Sequence, residues 1–191
     1  MKESNDIDLI NRVINGDNEA YKEIIEKYQN SVYSLIYRLC GNKTEAEDIT
    51  QETFIKAYEH LKDFKIGYKF SNWLFTIGIN ITKNILKRKK FAFLSIDKLI
   101  SVNDEESDNV PVQIASNDNP EQDLIKNENE KLLNDMLQTL PEKYREVFYL
   151  RFIEEYPYNE ISQICNLPQG TVKTYLFRAR KILYKKFGKI I

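Results

Sequence analysis

The sequence predicts an all-α protein: two small helical domains joined by a flexible acidic linker, the second a helix-turn-helix domain. Three observations predict it. Apolar residues recur at three- and four-residue spacing through two long blocks. No segment sustains the period-two alternation of a half-buried strand. Between the blocks the composition shifts to acids, prolines and asparagines. A chain of 191 residues is long enough for two such domains.

The first block, residues 6–90, reads as helix after helix. Ile7, Leu9, Ile10, Val13 and Ile14 begin an amphipathic pattern that breaks at Gly16-Asp17. Asp17 or Asn18 is placed to cap the next helix. Tyr21, Ile24, Ile25, Tyr28, Val32, Leu35, Ile36 and Leu39 form its apolar stripe, and Gly41-Asn42 ends it. Thr44 followed by Glu47 fits a capping box for a third helix. A loop from about Lys62 to Tyr68 contains Gly67, and a long helix follows from about Ser71 to Lys89. Residues 91–129 form the linker: Asp104, Glu105, Glu106, Asp108 and Asp118 have no base among them, and Pro111 and Pro120 add turn chemistry. The second block, 130–187, is helical again, with a break and restart at Leu140-Pro141.

Charge and special residues exclude several classes. Hydrophobic residues make up 42% and charged residues 30%, as in an ordinary globular protein. The net charge is -1, so any case for nucleic acid rests on distribution. Cys40 and Cys165 lie far apart, and His60 does not complete a zinc set with them. Both thiols are expected to be buried in a reducing compartment. The N-terminus is polar and no run of ~18 apolar residues exists, so a cytoplasmic protein without signal peptide or membrane span is expected. No nucleophile arrangement, metal set or phosphate loop stands out. The expectation is a non-enzyme with no cofactor, no metal and no small-molecule substrate.

The segment Tyr158 to Thr174 has helix-turn-helix spacing. Ile161, Ile164 and Cys165 give one short apolar face. Asn166 stands at the turn, where Asn tolerates the left-handed conformation. Pro168 or Gln169 opens the next helix. Projected at about 100° per residue, that helix has a core stripe of Val172, Leu176, Ala179 and Leu183. Gly170, Thr174, Phe177, Arg178, Lys181 and Lys185 collect opposite. A Phe between cations suits a major groove: Arg and Lys reach guanine edges or phosphates, and Phe or a Thr methyl touches a thymine methyl. Gly170 lets the helix N-terminus approach a phosphate closely. From Thr139 onward there are ten bases and five acids, a local excess of the kind phosphate binding needs. The plain alternative is a helical hairpin with a basic solvated face; the spacing, the Phe and the charge together favour DNA.

These residues carry a resemblance. Leu140-Pro-Glu-Lys-Tyr-Arg-Glu-Val-Phe, Tyr158-Asn-Glu-Ile and Gly170-Thr-Val-Lys-Thr-Tyr-Leu-Phe-Arg-Ala-Arg-Lys closely resemble region 4 of extracytoplasmic-function (ECF, group IV) sigma factors of the sigma-70 family. The resemblance implies that this block reads the −35 promoter element, with Lys173, Thr174, Phe177 and Arg178 as contacts. Asn166 stands where the family usually has Gly.

In the first block, projection of the helix around Glu45–Tyr58 turns Ala46, Ile49, Thr53, Phe54, Ala57 and Leu61 inward. Asp48, Gln51, Glu52, Ile55 and Glu59 face outward, so Ile55 is an apolar residue among acids and an amide. Single exposed apolar residues are common, and alone this is weak evidence of an interface. Glu47-Asp-Ile-Thr-Gln-Glu-Thr-Phe resembles region 2.2 of the sigma-70 family, which implies docking on the β′ clamp helices of RNA polymerase through Asp48, Gln51, Glu52 and Ile55. The next helix sets Phe70, Trp73, Leu74, Ile77, Gly78 and Ile81 on one side. A strip of Asn72, Thr76, Asn80, Lys83, Asn84 and Lys87 lies on another. Aromatics beside amides and cations suit unstacked single-stranded bases. Trp73 taken alone reads as core. Ser71-Asn-Trp-Leu-Phe-Thr-Ile and Asn80 resemble regions 2.3 and 2.4. That implies capture and melting of the −10 element by Lys65, Tyr68, Lys69, Trp73, Asn80, Lys83, Asn84 and Lys87. Many members carry Arg where Ile79 stands.

The resemblance implies residues 6–90 as sigma region 2 and 130–187 as region 4. The implied partners are core polymerase (β′ clamp helices and β flap), promoter DNA and an anti-sigma factor. The implied function is promoter-directed initiation. Two alternatives remain open at this point: a conventional helix-turn-helix regulator acting without polymerase, and a sigma-like decoy binding an anti-sigma factor.

Overall fold

The computed structural model describes residues 2–100 and 131–188. Among them there are helices and no strands, as predicted. Most of the expected linker lies outside the described residues. Four helices form the N-terminal unit: α1 (Lys2–Ile14), α2 (Asn18–Cys40), α3 (Lys43–Glu59) and α4 (Phe70–Ile100), with a 3-10 turn at Leu61–Asp63. Helix α5 is described over 131–138. Helices α6 (Glu142–Phe152), α7 (Tyr158–Ile164) and α8 (Gln169–Phe187) form the C-terminal unit.

Local chemistry explains the boundaries. Asp17 caps α2, its side chain accepting from the Glu19 and Ala20 amides, and Arg12 pairs with the same carboxylate at 2.7 Å. That neighbour holds the Asp17 carboxyl below the usual carboxylate range. Gly41 ends α2 at φ 76, a left-handed position that a Cβ would strain. The cap of α3 corrects the sequence reading. It is Asn42, whose side chain accepts from the Glu45 amide, and not Thr44 with Glu47. Asn42 already begins the turn that Gly41 leaves, so the helix starts two residues earlier. Helix α4 also runs past the expected end near Lys89, into the stretch read as linker.

The N-terminal core is built by α2, α3 and α4, with Ile24, Leu35, Ile36, Ile49, Leu74 and Ile79 fully buried. Truncating one such side chain to Ala costs about 2–5 kcal/mol. Gly78 faces the Ile36 and Thr53 side chains: a Cβ there would sit at ordinary contact distance, 3.4 Å, from both. The buried Thr50, Thr53 and Thr82 hydroxyls donate to carbonyls one turn back, so none of the three is stranded. Ile79 is core. Cys165 is buried as expected, while Cys40 is only half-buried. Burial pushes both thiols up, away from thiolate reactivity.

In the C-terminal unit Val172, Leu176, Ala179 and Leu183 pack α8 against α6 and α7, and all four are buried. Asn166 takes φ 53 in the turn, as its placement predicts. The Ser162 hydroxyl donates to the Leu167 carbonyl at 2.5 Å and closes that turn.

The two units touch along two seams. In the first, the Arg145 guanidinium donates to the Leu39, Gln138 and Leu140 carbonyls, the first at 2.6 Å. Gln138 donates to the Arg38 carbonyl. Arg145 is one of the ten bases of the C-terminal block, and it serves as a half-buried clasp on the end of α2. The second seam sets α7 against α4.

Candidate nucleic-acid and protein interfaces

Three surfaces carry the residues singled out from the sequence. On α3, Asp48, Gln51, Glu52 and Ile55 are all exposed. Ile55 is 59% exposed although its helix buries Ile49 and Phe54 on the other side. Glu52 makes only a loose pair with Lys56, at 3.7 Å. The surface is thus acidic, with one exposed apolar residue among acids and an amide.

At the start of α4 the chain forms a cavity of about 330 Å³. Phe64, Phe70 and Trp73 pack edge-on or tilted about one another with ring centroids 5.5 Å apart, and Phe64 and Trp73 line the cavity. Trp73 is therefore both packed and half-exposed. Lys65, Tyr68, Lys69, Asn72 and Thr76 supply polar lining. Gly67 at φ 109 turns the loop that carries Lys65 and Tyr68. Tyr68 is 60% exposed. An aromatic wall with amide and ammonium groups at its rim can hold one unstacked base and its phosphate. Further along α4, Asn80, Asn84 and Lys87 are exposed one turn apart, and Lys87 lies over the Phe91 ring.

Not all of this strip is open. Asn72, placed by the sequence in the polar strip, is buried and donates to Glu160 at 3.1 Å. Lys69 pairs with the same carboxylate at 2.8 Å. Lys83 pairs with buried Glu146 at 2.8 Å. Gln163 and Ile164 of α7 close one side of the cavity. Sequence reasoning missed Glu146, Glu160, Gln163 and Ile164 as neighbours of this strip. They stand far along the chain from it, Glu160 and Ile164 88 residues from their partners on the strip, and periodicity within one helix carries no sign of them.

On α8, Gly170, Lys173, Thr174, Phe177, Arg178 and Lys181 are all exposed. Phe177 is 69% exposed, between cations, as the projection predicts. Arg178 donates to the Tyr144 hydroxyl at 3.3 Å, which orients the guanidinium and lowers the phenol's proton affinity. Thr174 donates back to the Gly170 carbonyl. Nothing lies within 4 Å of a Cβ built on Gly170, so the helix N-terminus stands clear. Lys185 continues the basic stripe.

With this geometry in view, the comparisons with known proteins are decisive. Residues 24–91 match the family model for sigma-70 region 2, and residues 130–183 match that for sigma-70 region 4. The ECF RNA polymerase sigma factor SigW of Bacillus subtilis is 36% identical over 93% of this chain and 94% of its own. The chain belongs to the ECF sigma factors of RNA polymerase. The ECF sigma-E factor of Haemophilus influenzae is 32% identical over 96% of this chain and 95% of its own. Among solved structures, CnrH in complex with the cytosolic domain of CnrY superposes with a TM-score of 0.67 at 18% identity, covering 95% of this chain and 96% of that one. The sigma factor RpoE of Bartonella quintana, crystallised with the anti-sigma factor NepR, gives 0.65 at 24% identity over 86% and 94%. Both show the same helical fold. This ECF sigma factor is a transcription initiation factor, not an enzyme. Among the described residues no helix is long and apolar enough to cross a membrane.

Proposed function

We propose that this sigma factor divides its work among the three surfaces. The α3 face, Asp48, Gln51, Glu52 and Ile55, docks on the β′ clamp helices of core polymerase. The cavity at the start of α4, with Lys65, Tyr68, Lys69 and Trp73, takes a base flipped from the −10 element; Asn80, Lys83, Asn84 and Lys87 hold the strand beyond it. The α8 face, Gly170, Lys173, Thr174, Phe177, Arg178 and Lys181, reads the −35 element as duplex, while its unit leans on the β flap. Residues 6–90 and 130–187 act as regions 2 and 4, joined by the acidic linker 91–129. Tethering two weak sites raises the effective concentration of the second. Melting needs no catalytic group, because trapping an unpaired base draws the duplex open.

The observation that carries this reading is Phe177, an apolar ring largely in solvent between cations on a helix that already has a complete core stripe. RpoE of Bartonella quintana, crystallised with the anti-sigma factor NepR, supports a regulator of that kind as partner, and the factor works in the cytoplasm with polymerase. The test is core-polymerase binding followed by footprinting of a bound promoter. Asp48→Ala with Gln51→Ala weakens the complex with core. Arg178→Ala leaves that complex intact and erases the upstream part of the footprint. An unchanged core affinity in the α3 variant, or an unchanged footprint in the α8 variant, contradicts the assignment of that face.

A further inference from the structure

We propose that Tyr144, on the first turn of α6, is a positioning residue for sequence readout: it holds the Arg178 guanidinium in the orientation that reads a guanine, without neutralising it. The inference rests on the reading of the α8 face as the −35 reader. Arg178 is exposed on that face, and its Nη1 donates to the Tyr144 hydroxyl at 3.3 Å, across 34 residues of chain. Helix α8 has no acid from Gln169 to Phe187, and the group that meets Arg178 is a phenol. A carboxylate would orient the guanidinium and cancel its charge. A phenol orients it and leaves the charge for DNA.

The anchor is itself fixed. Tyr144 is only 8% exposed, although its hydroxyl reaches the edge of the α8 face. Its ring meets Tyr175 of α8 edge-on, with centroids 5.1 Å apart, and the Lys143 ammonium lies over both rings, at 5.3 and 5.9 Å. The Tyr144 amide donates to the Pro141 carbonyl at 2.8 Å, which ties the residue to the start of α6. The guanidinium holds the phenol below its usual range, and the same hydrogen bond raises the guanidinium. A guanidinium carries five N–H donors in a rigid fork. Tethered through Nη1, Arg178 keeps the edge formed by Nε and Nη2 whole, two parallel donors that match guanine O6 and N7. Untethered, the same side chain would take a phosphate as readily, which adds affinity and no sequence information. Discrimination at one base of the upstream element is thus set from α6, outside the helix that touches DNA.

The experiment uses the full chain assembled with core polymerase, and a promoter fragment located by its transcript start. Each base pair of the upstream element is replaced singly. Tyr144→Phe, Arg178→Ala and the double variant are compared with the parent, after circular dichroism and urea unfolding establish that each folds. Tyr144→Phe keeps the buried ring and removes only the acceptor. It weakens binding of the parent fragment roughly three- to tenfold, the effect of freeing one rotamer-rich side chain at an interface. The loss is confined to the base position that Arg178→Ala also relaxes, a guanine, and vanishes in the Arg178→Ala background. The slope of log affinity against log salt stays at the parent value, because no phosphate contact is lost. Equal losses at every position, or the same loss in the Arg178→Ala background, overturn the inference, because Tyr144 then acts through the fold or on phosphate directly. A Tyr144→Phe variant that discriminates as the parent does overturns it too, while Arg178→Ala still relaxes its position and the reading of α8 stands. Arg178→Ala without effect at any position overturns the −35 reading of α8, and the inference with it.

Discussion

The two candidate DNA surfaces are made of the same materials and stand in opposite states. On α8 an aromatic ring, cations and a small polar residue lie on one open stripe, backed by Val172, Leu176, Ala179 and Leu183. On α4 aromatics, cations and amides are gathered too, but Glu146 and Glu160 from the other unit occupy Lys83, Lys69 and Asn72. The α8 surface is a property of one amphipathic helix. The α4 surface is a property of the chain's tertiary arrangement and changes when that arrangement does.

The largest expected effect comes from unfolding the C-terminal unit, whose α7 packs against α4. Leu176→Ala should cost about 2–5 kcal/mol in that unit. It should abolish duplex binding and at the same time expose Trp73; urea unfolding followed by circular dichroism and by Trp fluorescence would separate the two events. Next is Arg178→Ala, expected to cost about 1–3 kcal/mol of duplex affinity on a promoter fragment, most at one position of the upstream element. Titration against single-base variants of the fragment checks this, and single-strand binding should not move. Lys181→Ala should weaken binding evenly across sequences and reduce the slope of log affinity against log salt by about 1.

The smallest effect concerns the buried pair at the seam. Burial raises the Glu146 carboxyl above its usual range, opposed by Lys83 of α4 and reinforced by Glu142 of its own helix. A carboxyl whose folded value is raised contributes stability below its unfolded value and loses it as pH rises through the folded one. Glu146→Gln should therefore match the parent in mildly acid solution and gain on it as pH rises toward neutrality. Parallel urea titrations at a series of pH values would show the two curves diverging upward.

Much of this molecule was legible in its sequence, and the physical reason is locality. The inward set on α3, the core stripe of α8 and the left-handed Asn166 each follow from spacing within one helix or turn, and each stands where it was expected. The exposed Phe177 and Ile55 were legible for the same reason: they interrupt otherwise polar stripes. The failures are contacts between distant segments. Arg145 reads as one more surface base until the end of α2 is laid against it. Asn72 reads as a solvated amide until α7 arrives. The capping box at Thr44 was a local error of another kind. Asn42 is an equally good cap, and the tight exit at Gly41 decides between them by starting α3 early.

The most direct test of the central claim is transcription in vitro. The purified chain is added to bacterial core polymerase and genomic fragments, and the 5′ ends of new transcripts are sequenced. The account predicts discrete starts that share a pair of upstream elements, with initiation weakened by Asp48→Ala through polymerase and by Arg178→Ala through the upstream element. No initiation by a chain that still binds duplex DNA would contradict it.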